Sequence, residues 1–529
     1  MSRGGANREA GLDVDGGEGA PRGWWENGWA VALVLLLMAL PLAWPAVPPL
    51  TDLPGHMGRY KIAADLASSP SLQSWFSFHW ALIPNLGVDL IVVPLARVAG
   101  IEAATKAVAL LIPPLTVAGF LWTAREAHGR LSPTYLFAAP LAFGFPFLYG
   151  FLNFTLAAAL AFLAAGLWAR LGRTGRVGVR AALFVPIAFL LWIAHAFGWG
   201  MLGLLAFAFE WDRQQRLRPD VLRSAMRAAL HCLPLAAPLV LMLAWRSSVD
   251  APPGDWFNVP WKLGALMGIF RDRWLVVDLA CTIVALMLLF LGARSPRLGY
   301  ARPLALAAIL FALVFVLIPG RLMGGAHTDD RLAPYMIAVG LLALAPAADA
   351  PPRFVRTLAF AGLAFLVLRM GAATASAALY ARTYERELQA LDHLPRGARM
   401  VAFVGMGCGN GWAQGRLEHL PSLAIVRREA FANDQWTVAG SHLVQVRPPW
   451  DAYVDPSQMV GERPCKVITP DTEIAKLKPE LFDYVWLIDP APFDARLMRG
   501  WTPVWRQGAS GLYRLPAAPP PASAAPPAR

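Results

Sequence analysis

From Trp29 to about Tyr380 the chain is a succession of apolar blocks, each roughly 15–22 residues long, set off by short segments rich in Arg, Pro and Gly. At about 1.5 Å of rise per residue, a helix of that length crosses the roughly 30 Å hydrocarbon core of a bilayer. Inside that core only helices and closed barrels satisfy their own backbone groups, and barrel strands are about half as long as these blocks. This region therefore reads as an all-α polytopic membrane bundle. Charge agrees: 16% of residues are Asp, Glu, Lys or Arg, where a soluble domain carries about a quarter.

Eleven spans are expected, near 29–47, 104–124, 133–147, 151–169, 181–194, 196–210, 228–246, 275–293, 303–318, 333–347 and 357–377. The net charge is +12 and Arg supplies nearly all the cations. Those arginines sit between the blocks, as membrane topology requires, which argues against a nucleic-acid partner. Arg125 and Arg130, the run Arg170 to Arg180, the run Arg213 to Arg227, Arg294 to Arg302, and Arg353 with Arg356 mark five basic loops. They share the cytoplasmic side only if 181–210 is a helical pair turning near His195 and 88–99 is a lead-in helix before a single crossing. The N-terminus is then inside, and the longer, chemically varied loops face outward together with everything after about 380. This places the chain in a bacterial inner (plasma) membrane.

Residues 1–27 read as a disordered cytoplasmic tail, with no apolar run suited to a cleavable signal. The bundle occupies 28–380, with a first outer loop at 49–87. Residues 381–516 have mixed composition and form a small α/β periplasmic domain: strand-like runs at 399–404, 423–427, 442–446, 483–488 and 503–506, and a short helix at 471–477. Residues 517–529 are a disordered Pro/Ala tail. Gly405 to Gly411 imitates a dinucleotide loop, but no helix with the expected acidic partner follows, so it reads as a turn. Cys408 and Cys465 can pair in an oxidising compartment; Cys232 and Cys281 fall in or near apolar blocks and read as packing residues.

Chemistry concentrates in two outer loops. Just past the first span, Asp52, His56 and Arg59 stand beside Pro54, and a helix starting there puts His56 and Arg59 on one face. A carboxylate in that place can take a proton from an acceptor hydroxyl or hold a metal, and Arg59 can pair with a phosphate. The alternative is that Thr51 or Asp52 only caps the helix. His79, Asn85 and Asp89, later in the stretch, read as structural. In the second loop His327, Asp329, Asp330 and Arg331 precede a span. They can ligate a divalent cation and pair with a lipid phosphate, or they can complement a helix dipole. His195 is an ionisable group within an apolar stretch, either functional or satisfied by a backbone carbonyl. Asn153 bonds between helices or lines a cavity. The aromatic loop 252–262 suits a lipid-linked substrate gripped at headgroup depth.

This layout resembles the GT-C superfamily of polyprenyl-phosphate-sugar-dependent membrane glycosyltransferases. Asp52 occupies the first-loop position where that superfamily has its acidic residue, and His327 to Pro334 is similar to its basic segment opening a late span. The first loop has one Asp, not the paired acidic motif of some members. The resemblance implies transfer of a hexosyl or pentosyl unit from a polyprenyl-phosphate sugar donor to a lipid or glycan acceptor of the cell envelope. It implies Asp52 as base or metal ligand with His56 assisting, and Arg59 and Arg331 neutralising the departing phosphate. His195 and His327 become further substrate-binding residues. A divalent cation, Mg or Mn, would be held by Asp52, Asp329 and Asp330. A lipid-linked sugar flippase or transporter, and a surface-polysaccharide polymerase or ligase, are the competing readings. The first would show internal repeats, and the second one large outer loop between late spans.

Overall fold

The computed structural model describes residues 23–246, 252–407, 411–463 and 468–516. Most of the two expected tails lies outside these residues, as do Cys408 and Cys465. Cys232 and Cys281 are free thiols, half-buried and buried.

Among the described residues five helices are long and apolar enough to cross a membrane: Ile101–His128, Leu152–Arg173, Val177–Ala194, Leu275–Arg294 and the long helix beginning at Pro352. Val221–His231 and Leu233–Arg246 would make a sixth if counted as one span, bent by 54°. Gly28–Leu42, Tyr135–Tyr149, Arg302–Leu317 and Ala333–Ala343 are apolar but shorter. The shortness has local causes: in Tyr135–Tyr149, Pro140, Gly144 and Pro146 break the ladder into two α-turn segments around a 3-10 stretch. On Leu275–Arg294 the buried stripe Asp278, Cys281, Thr282, Ala285 and Leu288 is opposed by exposed Val276, Ile283, Met287 and Phe290. A face that is apolar and exposed belongs against lipid. The expected break at His195 is present, since Val177–Ala194 ends there and Ala196–Leu217 begins. The lead-in helix is Asp89–Ala99.

The loops sort into two ends. At one, Arg130 pairs with Glu26 at 2.5 Å, His128 meets the Leu342 carbonyl at 2.8 Å, Arg180 pairs with Glu210 at 2.8 Å, and strands Leu298–Tyr300 and Leu344–Pro346 join. At the other, Asp52 N–H donates to Tyr149 O at 2.8 Å, Leu86 N–H to Ile193 O at 2.9 Å, Ala196 N–H to Pro84 O at 3.1 Å, and Gln414 N–H to Asp272 O at 2.9 Å. The basic loops gather at the first end and the chemically varied loops at the second.

The helix Pro352–Leu388 runs unbroken from the bundle into the C-terminal domain. There a five-stranded sheet has the order Met459–Gly461, Met400–Met406, Tyr484–Ile488, Ser510–Arg514, Thr502–Gln507; its first two pairings are parallel and its last two antiparallel. The expected strand at 423–427 is instead a helix, Ser422–Arg428, which packs on Leu53–Asp65. Ile425 and Val426 are β-branched and favour a strand, but Leu423 and Ala424 favour a helix, and Pro421 at the N-cap with burial against another helix decides for it. The residues near 442–446 do form a strand, Val444–Val446, which pairs with Phe76–Phe78 of the first loop rather than joining the sheet. That ribbon stitches loop and domain together.

Candidate active site between the first loop and the C-terminal domain

Asp52 is the N-cap residue of Leu53–Asp65, yet its side chain makes no cap hydrogen bond. The helix start is held instead by backbone: Thr51 and Asp52 N–H reach Leu148 and Tyr149 carbonyls, and the Thr51 hydroxyl donates to Gly415 O at 2.7 Å. Gly150, at φ +101, makes this close approach possible; a Cβ there would lie 2.9 Å from the Asp52 nitrogen. The carboxylate is thus left for something other than capping, at 8% exposure.

What faces it comes from the far end of the sequence. His419 Nε2 lies 3.8 Å from Asp52 Oδ1 and 3.9 Å from Asp455 Oδ1. Both separations exceed a formed hydrogen bond, as catalytic contacts without substrate often do. Burial holds the Asp52 carboxyl well above the usual carboxylate range, Glu418 and Asp455 push it further up, and Arg331 and Arg59 only partly oppose them. Burial lowers the His419 imidazole, against the pull of Asp455. Burial thus favours the uncharged form of both groups, a pair of titratable side chains between which one proton can move.

The other sequence candidates separate. His56 is turned to Trp436, with ring centroids 5.0 Å apart, and burial and Arg59 hold it well below the usual histidine range. His419 and His442 flank the same indole at 4.4 and 6.2 Å. A Cβ at Gly55 would lie 2.6 Å from Trp436, so glycine lets this indole lie on the helix. Arg59 makes a two-point ion pair with Asp89, at 2.9 Å for each contact, and both side chains are buried. Asn153 locks that pair in place: its Nδ2 donates to Asp89 Oδ2 at 2.9 Å and to Asn85 O at 2.7 Å, while its Oδ1 accepts from Val88 N–H at 2.6 Å. His79 is exposed. His195 caps Ala196–Leu217 by accepting from Phe197 N–H through Nδ1 at 3.2 Å. Its partner is thus a backbone amide rather than a carbonyl.

In the second loop, Asp329 is bound by Lys262 at 2.8 Å, and Asp330 by His327 Nδ1 at 2.8 Å. Lys262 also donates to the Phe315 and Ile318 carbonyls, so this ion pair fastens the loop to its neighbours. Arg331 lies 3.7 Å from the Phe151 ring centroid and donates to Ala326 O at 2.9 Å. Burial lowers it to about 10, which leaves it charged at neutral pH, beside Asp330 and Asp52. His327 is ringed by Phe145, Tyr149, Phe151 and Trp261, with centroids 5.2 to 6.1 Å away. Trp261 is exposed and carries this aromatic surface to the outside, and Trp256 and Phe257 are exposed in the same loop.

An ammonium occupies the Asp329 carboxylate and an imidazole that of Asp330, and among the described residues no group of three or more His, Cys, Asp or Glu side chains is arranged to hold a metal ion.

Sequence reasoning missed Arg416, Glu418, His419 and Asp455. Only the mixture of His, Glu and Arg within 416–419 hinted at them, and a solvated surface turn has the same composition. A further buried carboxyl nearby, Asp434, accepts from the Ser422 hydroxyl at 2.7 Å, and burial raises it to about 7 despite that bond. A carboxyl raised on folding stabilises the fold fully below its unfolded value of about 4, and that contribution is lost as pH rises through 7. Asp434→Asn is therefore expected to stabilise the protein at pH 8 by on the order of 4 kcal/mol and to be nearly neutral at pH 4, read by thermal unfolding at both values.

Among solved structures the chain is similar to ArnT from Cupriavidus metallidurans in the apo state, with a TM-score of 0.48 and 13% identity over 93% of this chain and 99% of that one. The same protein bound to undecaprenyl phosphate gives a TM-score of 0.47, again at 13% identity over 93% and 99%. Arabinofuranosyltransferase AftD from Mycobacteria gives 0.41 at 15% identity, over 93% of this chain and 40% of that chain. No protein-family model matches the chain, and no curated protein sequence does.

Proposed function

We propose that this chain is a membrane glycosyltransferase of GT-C type that moves a sugar from a polyprenyl-phosphate donor to a cell-envelope acceptor on the outer face of the inner membrane. The observation that carries the reading is Asp52: a buried carboxyl unused by its own helix, facing His419 and Asp455 across the seam between bundle and domain. Asp52 takes the proton of the acceptor hydroxyl as its oxygen bonds the anomeric carbon. The bond from that carbon to the phosphate oxygen breaks, and polyprenyl phosphate departs with the electron pair. A base that is costly to ionise is a stronger proton acceptor once ionised, and His419 and Asp455 give the proton a path onward.

Arg331 supports the donor assignment. It is charged, it stands beside Asp52, and it lies on an aromatic wall that runs through His327 to the exposed Trp261. Such a wall accepts an isoprenoid chain while the guanidinium meets the developing phosphate charge. Arg59 is not free for that role, because Asp89 already neutralises it. The sidedness rests on the basic loops gathering at the opposite end.

The test is turnover by the full chain in nanodiscs against a panel of polyprenyl-phosphate sugars, with envelope lipids and glycans as acceptors. Release of polyprenyl phosphate is expected, and Arg331→Gln is expected to lower kcat/KM by about 100-fold. No turnover with any donor, together with movement of a labelled lipid-linked sugar between leaflets, would replace this reading with the flippase.

A further inference from the structure

Behind Asp52 a chain of buried charge joins the bundle to the C-terminal domain. Arg369 of Pro352–Leu388 and Asp278 of Leu275–Arg294 are both 0% exposed and pair at 2.7 Å. The second Asp278 oxygen accepts from the Trp412 indole at 2.7 Å and from Asp272 N–H at 2.8 Å. Asp272 in turn holds Arg416 Nη2 at 2.7 Å, and both of these side chains are buried. Arg416 Nη1 donates to the carbonyls of Pro49, at 2.8 Å, and Leu148.

Those two carbonyls belong to the turns that make the site. Pro49 lies three residues before Asp52, and Leu148 accepts from Thr51 N–H. Arg416 itself lies three residues before His419, and the Tyr384 hydroxyl fixes its own carbonyl. One guanidinium therefore ties together the segment carrying Asp52, the turn on which Asp52 rests, and the segment carrying His419. A lysine could match the charge and the number of donors, but its three donors radiate from one nitrogen, whereas Arg416 serves the carboxylate through Nη2 and the two carbonyls through the separate Nη1, a span fixed by the planar guanidinium.

We infer that Arg416, clamped by Asp272, is a positioning residue that sets the distance between Asp52 and His419. The inference rests on the reading of Asp52 as the base, and its test is chosen to stand apart from that reading. In the full chain in nanodiscs, Arg416→Lys is expected to speed hydrogen exchange about tenfold at 50–53, 147–152 and 411–420, with Tyr484–Ile488 and Leu152–Arg173 unchanged. Asp272→Asn, which keeps the side-chain shape, is expected to give the same local pattern. The double variant is expected to add little to either single change. With a polyprenyl-phosphate sugar that the wild type turns over, kcat is expected to fall about 10- to 100-fold with KM nearly constant, and the acid limb of the pH profile to shift.

Unchanged exchange at the three segments in both variants overturns the inference, as does uniform acceleration throughout the chain, which would make the network merely structural. If the wild type turns over no donor, the base reading fails on its own, and the exchange pattern still decides whether Arg416 sets these segments.

Discussion

Asp52→Asn is expected to lower turnover by about 10²- to 10⁴-fold while leaving the protein at least as stable at neutral pH. The two halves of that expectation have one cause. Burial, with Glu418 and Asp455 nearby, raises the Asp52 carboxyl, so ionising it costs the fold free energy. A carboxyl raised on folding contributes stability below its unfolded value of about 4, and that contribution disappears as pH rises through its folded value. Asparagine resembles the protonated acid in shape and removes the cost of ionisation. Catalysis needs the ionised form, so the same replacement removes the base. Wild-type kcat/KM is then expected to rise through a pKa above the usual carboxylate range, with no such limb in the residual activity of the variant. Turnover across pH, paired with thermal unfolding at pH 5 and 8, measures both. Equal activity in the variant sinks Asp52 as the base; lost stability at pH 8 recasts it as structural.

Asp52 was legible in the sequence because a carboxylate directly after a span stands out against apolar surroundings. Its partners were not. His419 and Asp455 reach it only because Phe76–Phe78 pairs with Val444–Val446 and Ser422–Arg428 packs on Leu53–Asp65. Neither contact leaves a periodic signal in one sequence, and the second arises where propensity is divided between helix and strand. The long apolar helices were visible through block length, and the break at His195 through the arithmetic of arginines between blocks. Where proline and glycine shorten a helix, as in Tyr135–Tyr149, block length overstated the span. Strands Met459–Gly461 and Ser510–Arg514 escaped notice because three to five residues of mixed character resemble any loop.

Arg59 is where sequence and geometry diverge most, and it carries the second large expected effect. From spacing alone it is a phosphate ligand; in the fold both its ion-pair contacts go to Asp89, which Asn153 also grips, and its guanidinium lies over the Tyr60 ring. Removing one partner of a buried ion pair leaves an uncompensated charge, at a cost of about 3–5 kcal/mol. Arg59→Gln is therefore expected to lower the thermal midpoint markedly, and Asp89→Asn to do the same. The double variant is expected to recover much of the loss, since two neutral amides can bond to each other where one stranded charge cannot. Surviving folded Arg59→Gln enzyme is expected to keep its KM for a polyprenyl-phosphate sugar within about threefold, whereas Arg331→Gln raises KM or lowers kcat without unfolding the protein. Thermal unfolding and kinetics on the four variants separate the two arginines. A large KM effect at Arg59 with unchanged stability would mean that the donor phosphate displaces Asp89 from it, and would return Arg59 to the binding site.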